Sequence, residues 1–303
     1  MNAARWLLFA ALTWMVGCVT FRWVLSGPSV GRADSRGARQ LLEAQLAGLG
    51  LIGGVVGLAG LVGIGVGQLL QFRDPYSPIL DEARLLLRTN WGTAWKAGLV
   101  GCTLTAIGFR VASRPRILDR APMAWLFPTV VAGALSFFPS FTGHAIGSSR
   151  LTWLAVALDG AHVIAAGSWI GTLGVMVVLH LRTRSGAPPV RSLLSAAVPR
   201  FSKVALASAA TLAVSGLFAS WLHLPSAGSL LSSAYGRLLL AKVVVVLIVA
   251  ALGRANWRSW MRRVRAGEEP ELSLRSAVPE LILAQIVLVV TAVFVGTAPP
   301  TTP

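Results

Sequence analysis

An aspartate and a histidine lie three residues apart within a long apolar stretch, from about residue 151 to residue 181. On a helix, Asp159 and His162 share a face, and Trp169 follows on that face two turns later. Ionisable groups at membrane depth are costly to bury and mark a functional site by default. Imidazole binds copper, zinc and iron, and it also ligates haem. The carboxylate is then either a ligand itself or a group that orients the ring.

The composition indicates a polytopic membrane protein. Of its 303 residues, 55% are hydrophobic and 13% are charged, whereas a soluble domain carries about a quarter charged residues. Apolar stretches long enough to cross a bilayer recur throughout the chain. They predict an all-α transmembrane bundle of about eight helices in one integral domain covering residues 1–303. The predicted spans lie near residues 5–25, 42–70, 91–111, 122–145, 152–181, 203–224, 237–257 and 277–297.

The first apolar stretch is interpreted as a membrane span, because it is longer than the core of a typical signal peptide. Glycines in the second span, such as Gly53 with Gly57 and Gly63 with Gly67, predict a close approach between helices.

The basic residues predict the orientation in the membrane. The net charge is +16, but the positive residues collect in loops between spans, so we predict no nucleic-acid partner. The loops after the first, third, fifth and seventh spans carry 18 of the 27 Lys and Arg residues, and the opposite side carries six. This asymmetry places those loops in the cytoplasm and both termini on the outer side. Arg22, Glu43 and Glu280 are then interpreted as interfacial residues near the cytoplasmic ends of their spans.

Two more histidines are predicted on the outer side, so the candidate metal ligands are His144, His162, Asp159 and, as the weakest, His223. His144 ends the fourth span, and a kink at Pro139 would tilt it toward the fifth. Lys96 and Lys242 lie a few residues below the outer surface. These lysines snorkel to the surface, neutralise Asp159, or hold an anion such as a haem propionate.

Soft ligands are scarce in this sequence. Met15 and Cys18 lie three residues apart in the first span, and Cys102 lies at mid-depth in the third. These residues form either a relay for Cu(I) or ordinary apolar packing, and packing is the favoured interpretation because both residue types commonly fill cores.

The chain resembles the copper resistance protein D (CopD) family of bacterial inner-membrane proteins, most densely over residues 140–300. The similar stretches are Trp91-Gly-Thr-Ala-Trp95, Thr142-Gly-His-Ala145, Asp159-Gly-Ala-His162, Trp169-Ile-Gly171, Arg200-Phe-Ser202, Ser215-Gly216, Tyr235-Gly-Arg-Leu-Leu-Leu-Ala-Lys242 and the tail from Glu280 to Pro300. The resemblance implies a multi-pass inner-membrane protein, not an enzyme, that carries copper ions. It also implies that copper meets His144 and His162 from the periplasm, with a small CopC-type copper-binding protein as partner.

Two other functions remain open from the sequence. The spacing from His162 to Trp169-Ile-Gly171 also resembles membrane protoporphyrinogen oxidases, and histidines in helical bundles commonly hold haem, so one alternative is a redox protein with haem b. The other is a non-catalytic scaffold for a copper-delivery or cytochrome-assembly partner. The sequence has no Gly-x-x-x-x-Gly-Lys-Ser/Thr run, so we do not expect ATP-driven pumping by this chain alone.

Overall fold

The computed structural model describes residues 1–25, 36–114, 121–142, 151–183, 188–224, 226, 228–267 and 274–297. These residues form helices joined by turns, without any strand, which confirms the predicted all-α class. The elements are α1 (Asn2–Leu25), α2 (Arg36–Gln71), α3 (Ile79–Arg88), α4 (Asn90–Ala112), α5 (Ala121–Leu135), α6 (Phe138–Thr142), α7 (Thr152–Ala166), a π-helix (Gly167–Gly171), α8 (Thr172–Arg182), α9 (Pro188–His223), α10 (Ser229–Ser232), α11 (Ala234–Arg265) and α12 (Leu274–Phe294).

Seven helical segments of the described residues are long and apolar enough to cross a membrane, which identifies a multi-pass membrane protein. They are Asn2–Leu25, Gly37–Gln71, Met123–Thr142, Thr152–Arg182, Val190–His223, Ala234–Arg263 and Leu274–Phe294. The remaining predicted span, near residues 91–111, corresponds to α4. Its 23 residues give it a length of about 34 Å, but Lys96, Arg110 and several threonines make it less apolar than the other seven.

Helix α1 lies at the centre of the bundle, in contact with α2, the π-helix, α8 and α12. Its packing on α2 depends on glycine. A Cβ atom on Gly53 would lie 2.9 Å from the Met15 side chain, and one on Gly63 would lie 2.9 Å from Ala4. Both distances are too short for a real contact, so only glycine permits this approach. The close packing predicted for the second span is confirmed.

The fourth predicted span is interrupted, because α5 ends at Leu135 and α6 begins at Phe138. Pro139 lies in the first turn of α6, where the missing N–H of proline costs no helical hydrogen bond. The break therefore precedes the proline. His144 lies outside the described residues, so its approach to α7 stays a prediction.

Two helices extend well beyond their predicted spans, and a third helix had no predicted span. Helices α9 and α11 begin before residues 203 and 237, and α11 also continues well past residue 257. Helix α3 was not predicted. It has no buried residue, and it combines exposed leucines such as Leu80 and Leu85 with an ion pair of 2.9 Å between Arg84 and Asp81. This two-sided pattern is typical of a helix that lies along a membrane surface.

Arg22 and Glu43 are buried between helices in the bundle, and their position near the cytoplasmic interface stays a prediction. Arg22 is 3% exposed and Glu43 is 2% exposed. Arg22 Nε lies 3.0 Å from Glu43 Oε1, and Arg39 Nε lies 3.2 Å from the same oxygen. This ion pair joins α1 to α2. Position along a span indicates depth, but it does not tell whether a side chain faces lipid or another helix.

Candidate metal site

His162, on α7, is oriented by a serine of α9. The ring Nδ1 lies 2.8 Å from Ser215 Oγ, and the same hydroxyl donates to the carbonyl of Thr211 at 2.6 Å. Because a hydroxyl has a single hydrogen, Ser215 Oγ accepts the second bond, and the ring Nδ1–H donates it. The lone pair of the neutral imidazole is then on Nε2. This is the tautomer that ligates a metal ion, with the other ring nitrogen held by a hydrogen bond.

Asp159 is held by a different helix. Ser140 Oγ, on α6, donates a hydrogen bond of 2.8 Å to Asp159 Oδ2, and Ser140 is fully buried. Asp159 Oδ1 accepts no hydrogen bond from the described residues. No hydrogen bond joins Asp159 to His162 in that part of the chain, so the group that orients the ring is Ser215.

Two basic side chains lie near this carboxylate. Lys242 of α11 and His223, the last residue of α9, are both within electrostatic range of Asp159, and Lys242 is also within range of His162. Lys242 Nζ lies 5.8 Å from the centroid of the Phe294 ring, a favourable cation–π geometry. A nearby cation reduces the energetic cost of a charged Asp159 inside the bundle.

The structure therefore brings together four of the predicted residues: Asp159, His162, His223 and Lys242. Lys96 is exposed on α4. Within the described ranges, no three His, Cys, Asp or Glu side chains converge to hold a metal ion. The imidazole of His162 and the carboxylate of Asp159, both on α7, do not by themselves complete a set of metal ligands.

Met15, Cys18 and Cys102 lie in the core, and all three are fully buried. Both cysteines are free. A Cβ atom on Gly57 of α2 would lie 3.0 Å from Cys102 Sγ and 3.8 Å from Met15 Cε. These side chains thus fill the space left by a glycine where α1, α2 and α4 meet, as apolar packing does.

Trp169 has a different neighbour from His162, although the heptad spacing predicted a common face. Its Nε1 donates a hydrogen bond of 3.2 Å to Glu280 Oε1 on α12, whereas His162 contacts α9. The π-helix over Gly167–Gly171 explains the difference, because its wider turn changes the direction of the residues that follow it. Glu280 is 5% exposed, so its side chain is buried among helices, and its position near the cytoplasmic interface stays a prediction.

Two cavities adjoin these elements. One of about 270 Å³ has a mixed lining, in which Arg5, Gln68, Gln71 and Thr142 are the polar side chains. It lies beside α6, the helix that holds Asp159. The other, of about 310 Å³, is mostly apolar and lies between α1, α2, α8, α12 and the π-helix, with Ile170 and Gln285 in its lining.

Fold and site together define a multi-pass membrane protein with a histidine, a carboxylate and a lysine grouped inside its bundle. The sequence profile of the family Copper resistance protein D matches residues 195–295. The copper transport protein CutJ of Bacillus subtilis is 26% identical over 322 aligned residues, which cover 99% of this chain and 53% of that protein. Both matches show that the chain is similar to copper proteins of the CopD family. The chain spans about half the length of this relative, and no solved structure matches it.

Ser215 provides the first test of the site. We expect Ser215→Ala to weaken copper binding by roughly 10- to 100-fold, the effect typical of losing a group that orients a metal-bound histidine. A competition titration with a copper chelator measures this change. Ser220→Ala is the matched control, since Ser220 lies on the same helix and bonds only the carbonyl of Gly216. Equal affinities of the two variants would contradict the assigned role.

Proposed function

We propose that this chain carries copper across the bacterial inner membrane and that the ion passes through the site formed by Asp159 and His162. The observation that supports this most is the hydrogen bonding of His162, which leaves Nε2 with a free lone pair inside a membrane-spanning helix. The family match and the similarity to a copper transport protein support copper as the ion.

The incomplete ligand set suits a transported ion. A site on a conduction path must bind the ion strongly enough to admit it and weakly enough to release it. His162 Nε2 and Asp159 Oδ1 supply two donors. We propose His144, which lies outside the described residues, as the third, with His223 as a weaker fourth. Lys242 balances the charge of Asp159 when no copper is bound.

The proposed direction of entry follows from the distribution of charge. The Arg-rich loops assign the end of the bundle near Asp159 to the periplasm. The cavity lined by Arg5, Gln68 and Thr142 lies at this end, and we propose it as the entrance. A periplasmic protein of the CopC type would deliver the ion there, and the chain acts as a carrier rather than as an enzyme.

Purified protein reconstituted in liposomes tests this function. We expect liposomes that contain the protein to accumulate copper, supplied as Cu(I) under ascorbate or as Cu(II), faster than empty liposomes, as measured by mass spectrometry of the washed vesicles. Zinc offered at the same concentration is the control for general leakage. Copper uptake equal to that of empty liposomes for both oxidation states would contradict the proposal.

A further inference from the structure

Glu280 is a buried carboxylate outside the site described above. It lies seven residues into α12, where it is 5% exposed. Trp169 Nε1 donates to its Oε1 at 3.2 Å, and Asn256 Nδ2 donates to its Oε2 at 3.1 Å. Gly253 of α11 faces the same carboxylate, since a Cβ atom there would lie 3.3 Å from Oε1. Three elements therefore enclose this one acidic group.

Among the residues that the structure describes, no cation forms an ion pair with Glu280. The charged and titratable groups on the elements packed against this end of α12 are Arg22 on α1, His180 and Arg182 on α8, and Arg254 and Arg258 on α11. None of them forms an ion pair with Glu280 within the described residues. Arg22 is paired with Glu43, and Arg254 and Arg258 of α11 are exposed.

A buried carboxylate without a cation is expensive in its ionised form. Protonation removes that cost. A protonated carboxyl group can still accept the bonds from Trp169 and Asn256, because each oxygen keeps an acceptor site. The enclosure thus accommodates Glu280 with or without a proton, which is the property of a group that binds and releases protons inside a membrane protein.

The π-helix connects Glu280 to the proposed copper site. Trp169 lies on it, seven residues after His162 and so about 10 Å further along the helix axis. Single π-turns within helices frequently occur at functional sites. The apolar cavity of about 310 Å³ is lined by Ile170 and Gly171 of this segment and by Leu281 of α12. This space allows the π-helix to shift relative to α12.

We propose that Glu280 exchanges one proton with the aqueous phase in each transport cycle. It releases the proton when copper binds at His162 and takes one up when copper leaves. This inference rests on the proposed copper transport. A cation bound near His162 favours the ionised carboxylate, so the carboxyl group releases its proton to water when copper binds. Once copper has left, the carboxylate takes a proton back. The Trp169 indole, which contacts Glu280 and belongs to the helix of His162, is the positioning residue that joins the two sites.

Proteoliposomes with an internal pH dye test the exchange. Copper entry and the change in internal pH are recorded together for the wild-type protein and for Glu280→Gln, which keeps an oxygen acceptor for Trp169 but cannot ionise. We expect the variant to keep wild-type copper affinity while its copper-driven proton movement falls to the level of empty liposomes. Its uptake should also lose the response to an imposed pH gradient. Glu280→Asp retains a carboxyl group. It should therefore keep a measurable part of the copper-driven proton movement and of the response to a pH gradient.

The outcomes separate the two proposals. A Glu280→Gln protein that moves protons with copper as the wild type does would overturn this inference and leave copper transport intact. A wild-type protein that carries no copper would overturn both. If Glu280→Gln does not fold, the wild-type protein is treated with dicyclohexylcarbodiimide, whose C=N group adds the O–H of a protonated carboxyl. We expect mass spectrometry to find modification at Glu280 that copper suppresses, and an unmodified Glu280 would overturn the inference.

Discussion

Replacing His162 by alanine should abolish copper binding at the membrane site. The imidazole is the only neutral nitrogen ligand on α7, and its Nε2 lone pair is kept free by the bond between Nδ1 and Ser215. Removal of a ligand should cost at least as much affinity as removal of the group that orients it, which is roughly 10- to 100-fold. We therefore expect more than a 100-fold loss of copper affinity in a chelator competition, together with copper uptake at the level of empty liposomes.

His180→Ala is the matched control for this substitution. His180 lies in the last turn of α8, beside Arg182, at the far end of the same helical segment. Its loss should leave copper affinity and uptake within about twofold of the wild-type values, in keeping with the small effect of substitutions away from a site. Copper affinity retained by His162→Ala, or lost equally in both variants, would show that the ion does not bind at His162.

The ionisable residues of the site could be predicted from the sequence, because ionisable side chains are rare inside an apolar helix. Asp159 and His162 stand out in the predicted span at residues 152–181, and Lys242 stands out in the span at residues 237–257. Ser140 and Ser215 were not selected as site residues, although Ser215 belongs to a stretch that resembles the family. Serine is common in membrane helices, where it often bonds the backbone one turn earlier. Only the packing of α6 and α9 on α7 distinguishes these two serines from the others.

The second buried carboxylate shows what the sequence could not provide. The count along α12 correctly placed Glu280 near one end of its span, and that position suggested contact with water. The direction of its side chain depends on how α12 packs against α11 and the π-helix. The sequence Gly167-Ser-Trp-Ile-Gly171 contains no recognised signal for a π-helix. Counting seven residues along a regular α-helix therefore predicted that Trp169 and His162 share a face. Periodicity predicts a neighbour only while the helical period is constant.

Gly171→Ala should destabilise the folded protein more than the same substitution at Gly167, the other glycine of the π-helix. Gly171 is the last residue of the π-helix, and it packs against α1 at Gly17. A Cβ atom on Gly171 would overlap the backbone carbonyl of Thr13, and one on Gly17 would overlap Gly171. Backbone atoms cannot rotate away as a side chain does, so we expect a loss of about 3 kcal/mol, the upper part of the range for overpacked cores.

Thermal unfolding in detergent, followed by tryptophan fluorescence, measures this loss as a lower Tm. Gly133→Ala is the matched control, because a Cβ atom there meets nothing within 4 Å and alanine favours a helix over glycine by about 1 kcal/mol. Gly171 belongs to the same π-helix as Trp169, which follows the helix of His162 and donates a hydrogen bond to Glu280. A displaced π-helix should therefore reduce copper affinity in the folded fraction as well. Equal Tm values for the two variants would mean that α1 and the π-helix pack less closely than in this structure.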